Sequence, residues 1–226
     1  MRELNPQLER QQRIARVVEL FEKGLDDTED CIGYHGTSLE ALQYLIENGH
    51  WPVSNLEGFY GDTPGISFYP RKSQFSTFDL LGVNFPDEKY MAKEAANYAE
   101  QIARSHHLLR LLNLPIDDDA MEDNARNIAN NSPDDARDPE KEYRFFLEIV
   151  KDKKILDEAI AKAKKRHGVV IGLSKSALGK GTVQHGDPGD LRILTPSGVD
   201  LSFISGIEPM GQEEFDFLKN LQRSLQ

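Results

Sequence analysis

The order of segments in this 226-residue chain predicts an α+β fold. Helix, strand, helix, strand and a long helix come first, then an acidic stretch, then four short strands with a helix among them. The late strands lie at hairpin-like spacing, which favours antiparallel pairing over a doubly wound parallel sheet. The length suits one domain with a substantial core.

Asn5 before Pro6 is a favourable helix start, and Ile14, Val17, Val18, Phe21 and Leu25 recur at helical spacing, so residues 6–24 read as an amphipathic helix. Its charged face is mixed in sign, which fits packing on protein better than on a membrane. Residues 1–30 are therefore expected to lay a helix against a domain of residues 31–226. A short strand through Tyr34 and His35 then passes Gly36, Thr37 and Ser38 into a helix. Thr37 and Glu40 have the T-x-x-E spacing of a capping box. Leu39, Leu42, Leu45 and Ile46 share one helical face, and Gly49 suits the left-handed stop. This turn holds an imidazole and a glycine backbone beside a helix N-terminus, a place suited to a polar or anionic ligand. The plain alternative is a capped turn with an incidental histidine.

Trp51-Pro52 opens a turn-rich loop, and residues 66–69 form a strand that Pro70 ends. In the loop that follows, Phe75, Phe78 and Phe85 either pin the chain to the body or rim a substrate. A long helix runs from Asp87 to about Leu112, with Met91, Ala95, Tyr98, Ile102 and Leu109 in one stripe. Residues 117–142 carry ten acidic and three basic side chains, so residues 113–142 read as a solvated acidic insertion, partly helical or mobile. Asp117-Asp118-Asp119 lacks the alternate spacing of a calcium loop. Residues 143–150 are expected as a strand, 155–166 as a helix and 169–173 as a buried strand. A glycine-rich loop over 179–189, strands at 191–194 and 201–207, and a closing helix with Phe215, Leu218, Leu221 and Leu225 complete the chain.

Hydrophobic content of 38% and charged content of 29% describe an ordinary soluble protein. The formal net charge of −11, from 38 acidic against 27 basic residues, argues against a large electrostatic grip on nucleic acid. The single cysteine, Cys31, excludes an internal disulfide framework and a cysteine-rich zinc site, and reads as a small buried residue. No pair among the six histidines has H-x-x-x-H spacing, so no metal site is expected. The N-terminus lacks the apolar core of a signal peptide and no run reaches membrane-spanning length, so a cytoplasmic protein is expected, with export by a signal-less route reading the same way. Residues 172–181 have six residues between Gly172 and Gly179 where a phosphate-binding loop needs four, and Gly181 stands where Ser or Thr should hold magnesium. No G-x-S-x-G elbow supports a serine nucleophile.

Tyr34-His35-Gly36-Thr37-Ser38 with its helix, then Pro64-Gly65-Ile66-Ser67-Phe68-Tyr69, then Ala95-Ala96-Asn97-Tyr98-Ala99, resembles the ADP-ribosyltransferase superfamily. The likeness is to the branch with a histidine-tyrosine-glutamate triad. The C-terminal run from Asp187 through Asp190 to Leu194, followed by residues 199–209, is similar in layout to the family's final acidic residue, strand, turn and strand. The similarity spans roughly residues 31–209, with the acidic insertion outside it.

The resemblance implies a split antiparallel β-sandwich with flanking helices that clasps NAD as substrate and breaks its nicotinamide–ribose bond through an oxocarbenium-like state. It implies that His35 bonds a ribose hydroxyl and that the Gly36 backbone meets the nicotinamide carboxamide, with Tyr34, Thr37 and Ser38 nearby. An aromatic ring should lie against nicotinamide, Tyr69 or Tyr98, because the family's tyrosine position is occupied here by Ser67. A carboxylate should stabilise the developing positive charge, an effect worth about 3–4 kcal/mol. Asp190 stands where the family has glutamate; Asp187 and Glu208 are the next choices. Aspartate is one methylene shorter, and a misplacement of ~1 Å can cost ~100-fold in rate. Three readings follow: NAD-dependent transfer of ADP-ribose to a protein or nucleic-acid acceptor, a non-catalytic NAD-binding or interaction module, and an RNA 2′-phosphotransferase-like activity that the acidic net charge disfavours.

Overall fold

The computed structural model describes residues 6–25, 30–51, 65–71, 88–116, 118–130, 139–180, 183–185, 191–194 and 199–225. In chain order these form α1 (Pro6–Lys23), β1 (Cys31–Thr37), α2 (Leu39–Asn48), β2 (His50–Trp51), β3 (Gly65–Pro70), α3 (Glu88–Leu111), α4 (Asp119–Asn130), α5 (Pro139–Val150), α6 (Lys153–Ala163), β4 (Val169–Ser174), β5 (Val183–His185), β6 (Leu191–Leu194), β7 (Val199–Asp200), β8 (Ile204–Pro209) and α7 (Gln212–Ser224). The fold is α+β.

The strands form one six-stranded sheet in the order β5-β6-β3-β1-β4-β8, with β2 and β7 as a separate pair, and every pairing is antiparallel. The sheet divides at β3. Gly65, Ile66, Ser67 and Phe68 pair with β6, whereas Tyr69 and Pro70 pair with Tyr34 and Gly33 of β1. β3 thus leaves β1 at Tyr34 and takes β6 as its partner. From His35 onward, β1 pairs with β4 alone.

Alternation along the strands gives the sheet two different faces. Val169, Ile171 and Leu173 of β4 point into the larger core with Ile14, Val17 and Leu20 of α1, Leu42 and Leu45 of α2, and Leu218 of α7. Val170 and Tyr34 point the other way, onto Ala95 and Ala99 of α3, and the register shift between Cys31 and Gly33 brings Cys31 to the same side. The single cysteine is a free, buried thiol in that layer. The alanines let α3 approach the sheet closely: a Cβ built on Gly36 would lie 2.0 Å from the Ala95 carbonyl oxygen.

Three sequence expectations change. Within 113–142 the described residues include α4 and the first turn of α5, and α4 is packed and not solvated, with Ala125, Ile128 and Ala129 buried in a helical core. Residues 143–150 are helix, not strand. Tyr143, Phe146, Leu147 and Val150 recur at i, i+3, i+4 and i+7, the stripe that meets Leu108 and Leu109 of α3 and Leu156 of α6. Pro139 at the first helical position and Glu140 and Glu142 in the first turn are favourable starts that the run of apolar residues obscured. Finally, residues 201–203 form a 3₁₀ turn, so the last strand begins only at Ile204. Among the described residues no helix is long and apolar enough to cross a membrane.

Candidate functional site

The helix after β1 starts on Ser38, not Thr37. Ser38 has extended backbone, and its hydroxyl accepts from the Ala41 N–H at 3.1 Å. Gly49 ends the helix in the left-handed region, φ 81, with its N–H donating to the Leu45 carbonyl. Glu40 does not close a capping box; its carboxylate faces His107 of α3 at 3.4 Å. The reason is register: α2 packs against α3, so the residue two places after the cap turns toward that helix.

Backbone direction along β1 sets up the site. The Met210 N–H donates to the Gly168 carbonyl at 3.0 Å, in line with the β4–β8 ladder. In an antiparallel strand, alternate residues send both backbone groups to the same side. Gly168 and Val170 therefore aim theirs toward β8, and Val169 and Ile171 toward β1. Their partners Thr37 and His35 aim theirs toward β4, which leaves those of Tyr34 and Gly36 on the β3 side. β3 accompanies β1 only as far as Tyr34, so the N–H and C=O of Gly36 face the region where the sheet divides. Continuing the register places Ser67 across that division from Gly36, on the part of β3 paired to β6.

His35 is partly buried, and its ring lies edge-on to Tyr98 of α3, with ring centroids 6.4 Å apart and planes at 61°. Tyr98 is 36% exposed, so it stands at the rim and not in the buried stripe where spacing put it. Tyr69, partly buried, pairs with Tyr34 and packs on the α3 layer. His35, Gly36, Tyr69 and Tyr98 are thus gathered where β1, β3 and α3 meet.

Other candidates are placed elsewhere. Tyr34 is buried against Ala95 and Ala99. Thr37 and Ser38 are buried, Thr37 in the ladder opposite Val169 and Ser38 at the helix cap, so neither presents a free contact at the site. Glu208 is exposed on the outermost strand and in register with Val170 and Gly36. That row lies two strands, or ~10 Å, from β1. Asp187 and Asp190 lie outside the described residues, as do Phe75, Phe78 and Phe85.

One polar chain beside the site escaped the sequence reading. The Ser38 hydroxyl lies 3.0 Å from His106 Nδ1, His106 Nε2 lies 3.6 Å from Glu122 Oε2, and Glu122 accepts from Arg126 at 2.7 Å. Burial of Glu122 would raise its carboxyl pKa, but His106 and Arg126 outweigh it and hold the group below the usual range. The connectivity is that of a serine–histidine–carboxylate triad. Ser38 is 0% exposed and already accepts at the cap, however, so it is no nucleophile. The chain instead ties the β1–α2 turn to α4. Separations of 68 and 16 residues hid it, and only the choice between Thr37 and Ser38 as cap offered a signal. Among the described residues no three metal-ligating side chains converge.

Glu40 gives the neighbourhood a pH dependence. Burial acts to raise its carboxyl pKa, but the His107 contact, a hydrogen bond from its own backbone N–H and the field of Arg166 win, and the pKa is lowered. A carboxyl depressed in the fold stabilises above its unfolded value near ~4.3, and this contribution fades as the pH falls through the folded value. Thermal melts between pH 7 and 3 are expected to fall more steeply below about pH 4.5 for the wild type than for Glu40→Gln. Parallel curves would remove Glu40 from the acid limb.

Comparison with protein-family models, with curated proteins and with solved structures finds no match.

Proposed function

We propose that this chain is an NAD-using enzyme of ADP-ribosyltransferase type that transfers ADP-ribose to a macromolecule and releases nicotinamide. One observation carries the reading: the backbone donor and acceptor of Gly36 face the division of the sheet, beside a partly buried imidazole. A carboxamide needs one acceptor and one donor side by side, and Gly36 offers both on one strand edge. The division between β1 and β3 suits the split sandwich implied by the Tyr-His-Gly-Thr motif. Tyr98, edge-on to His35, supplies an aromatic wall for a cationic ring. In this reading His35 orients a ribose hydroxyl, Gly36 fixes the carboxamide, and Tyr98 or Tyr69 flanks the ring. NAD itself supplies the labile bond between nicotinamide and ribose.

Nicotinamide release from NAD is the test. His35→Ala is expected to slow it by about 100-fold, the cost of losing a positioning contact, with an unchanged melting temperature. Equal turnover in that variant, or none in the wild type together with no thermal protection by NAD, removes the proposal. Glu208 favours a second reading, because it lies on the last strand, two strands from β1. A pocket that holds NAD without cleaving it would show thermal protection and no nicotinamide.

A further inference from the structure

His106 is a polar residue at the end of an apolar contact. Ala95, Ala99 and Ala103 are fully buried, and His106 falls eleven residues after Ala95, three turns along the same side of α3. Alanine against the Gly36 backbone gives close approach but little hold along the strand, because apolar contact is not directional. A hydrogen bond is directional. His106 makes one at the exit of β1, where its Nδ1 lies 3.0 Å from the Ser38 hydroxyl. Other polar ties of α3 go elsewhere. Glu100 meets His167 Nδ1 at 2.7 Å and Arg104 donates to the Arg166 carbonyl at 3.2 Å, both ahead of β4, while His107 faces Glu40 of α2. The bond from Ser38 grips the residue that directly follows β1.

The sense of that bond follows from Ser38. Its oxygen accepts from the Ala41 N–H, and the residue is wholly buried. Among the described residues its own proton therefore has one acceptor within reach, His106 Nδ1. The ring then carries its proton on Nε2, the nitrogen that faces Glu122 Oε2 at 3.6 Å. At that separation Glu122 acts by charge and not by a hydrogen bond. Arg126, donating to the other Glu122 oxygen at 2.7 Å, keeps it in place. A proton on Nδ1 instead would give the Ser38 oxygen two donors and leave its buried hydrogen without an acceptor.

We propose that His106 is a positioning residue for the candidate site: protonated on Nε2 and accepting from Ser38 through Nδ1, it fixes where α3 stands along β1 and so sets Tyr98 against His35. Tyr98 lies eight residues before His106 on α3, and the helix carries the placement rigidly over those ~12 Å. The ring of Tyr98 meets His35 edge-on at 6.4 Å, so a slide of α3 along β1 would part the two. The effect on turnover rests on the NAD reading above; the lock between α3 and β1 does not.

The test compares variants of the full chain. His106→Asn keeps an acceptor near the place of Nδ1, whereas His106→Phe keeps the ring and loses the acceptor. The kcat of nicotinamide release from NAD is expected to fall by about 100-fold in His106→Phe, the cost of ~1 Å of misplacement, and to recover most of the way in His106→Asn. A packing role would rank the two in the opposite order, and that order, or wild-type turnover in His106→Phe, overturns the proposal. Nitrogen NMR of histidine-labelled wild type gives a second readout, with the His106 signals assigned by their loss in His106→Asn. A protonated Nε2 and a bare Nδ1 are expected near neutral pH; a proton on Nδ1 overturns the proposal whatever the rates. If the wild type releases no nicotinamide, the NAD reading falls and the lock is judged by contacts between ring protons of His35 and Tyr98. These are expected in the wild type and His106→Asn and lost in His106→Phe, and their persistence in His106→Phe overturns the lock as well.

Discussion

Truncating Phe146 to alanine is expected to destabilise the protein by about 3–5 kcal/mol, while Phe145→Ala beside it costs about 1 kcal/mol. Phe146 is fully buried between α3, α4 and α6, and its removal leaves a cavity that three packed helices close only in part. Phe145 is more than a third exposed and mainly loses an edge contact to Phe146, whose ring centroid is 5.3 Å away. Urea unfolding of both variants, with Leu147→Ala as a third, reads the secondary structure directly. In a helix, Phe146 and Leu147 both face inward and both cost stability. In a strand, alternation sends neighbouring side chains to opposite faces. A large loss from Phe146 with none from Leu147, or large losses from Phe145 and Leu147 with none from Phe146, would overturn the helical register of α5.

Gly36→Ala is expected to cost about 3 kcal/mol, at the upper end of overpacking. The added methyl would lie 2.0 Å from the Ala95 carbonyl oxygen and 2.6 Å from the Ala99 amide nitrogen. Both atoms belong to the backbone of α3, so no flexible side chain can move aside. Ala95 and Ala99 are themselves fully buried and have nothing to trim. The helix must therefore back away from β1, which carries the candidate site. Denaturant unfolding gives the loss in stability. On the proposed function, NAD protection should weaken at the same time, because the Gly36 peptide moves with the strand. A variant as stable as the wild type would mean that α3 and β1 are further apart than described.

Local rules reached far along this chain. The stripe of Leu39, Leu42, Leu45 and Ile46 and the stop at Gly49 are where periodicity and left-handed glycine placed them. The β-branched run at 169–173 is a strand buried on both faces. Local rules failed where two patterns competed. Phe145-Phe146-Leu147-Glu148-Ile149-Val150 satisfies strand composition and helix spacing together, and a helical core waiting beside it made the choice. The acidity of residues 117–142 concealed the small apolar stripe of Ala125, Ile128 and Ala129 in α4. Capping failed more narrowly, because Thr37 and Ser38 both satisfy the rule and β1 keeps Thr37 in its ladder with Val169.

By itself the amino-acid sequence determined the α+β class, most helices and strands, the close turn after His35 and the acidic balance of the whole. These follow from interactions among residues near one another in the chain, which periodicity and turn chemistry report. Only the tertiary structure decided that β3 leaves β1 beyond Tyr34, that the Gly36 peptide faces this division, and that Glu208 lies two strands from β1. Each depends on which strand pairs with which and in what register, and a one-residue change of register would turn every side chain of β8 to the other face.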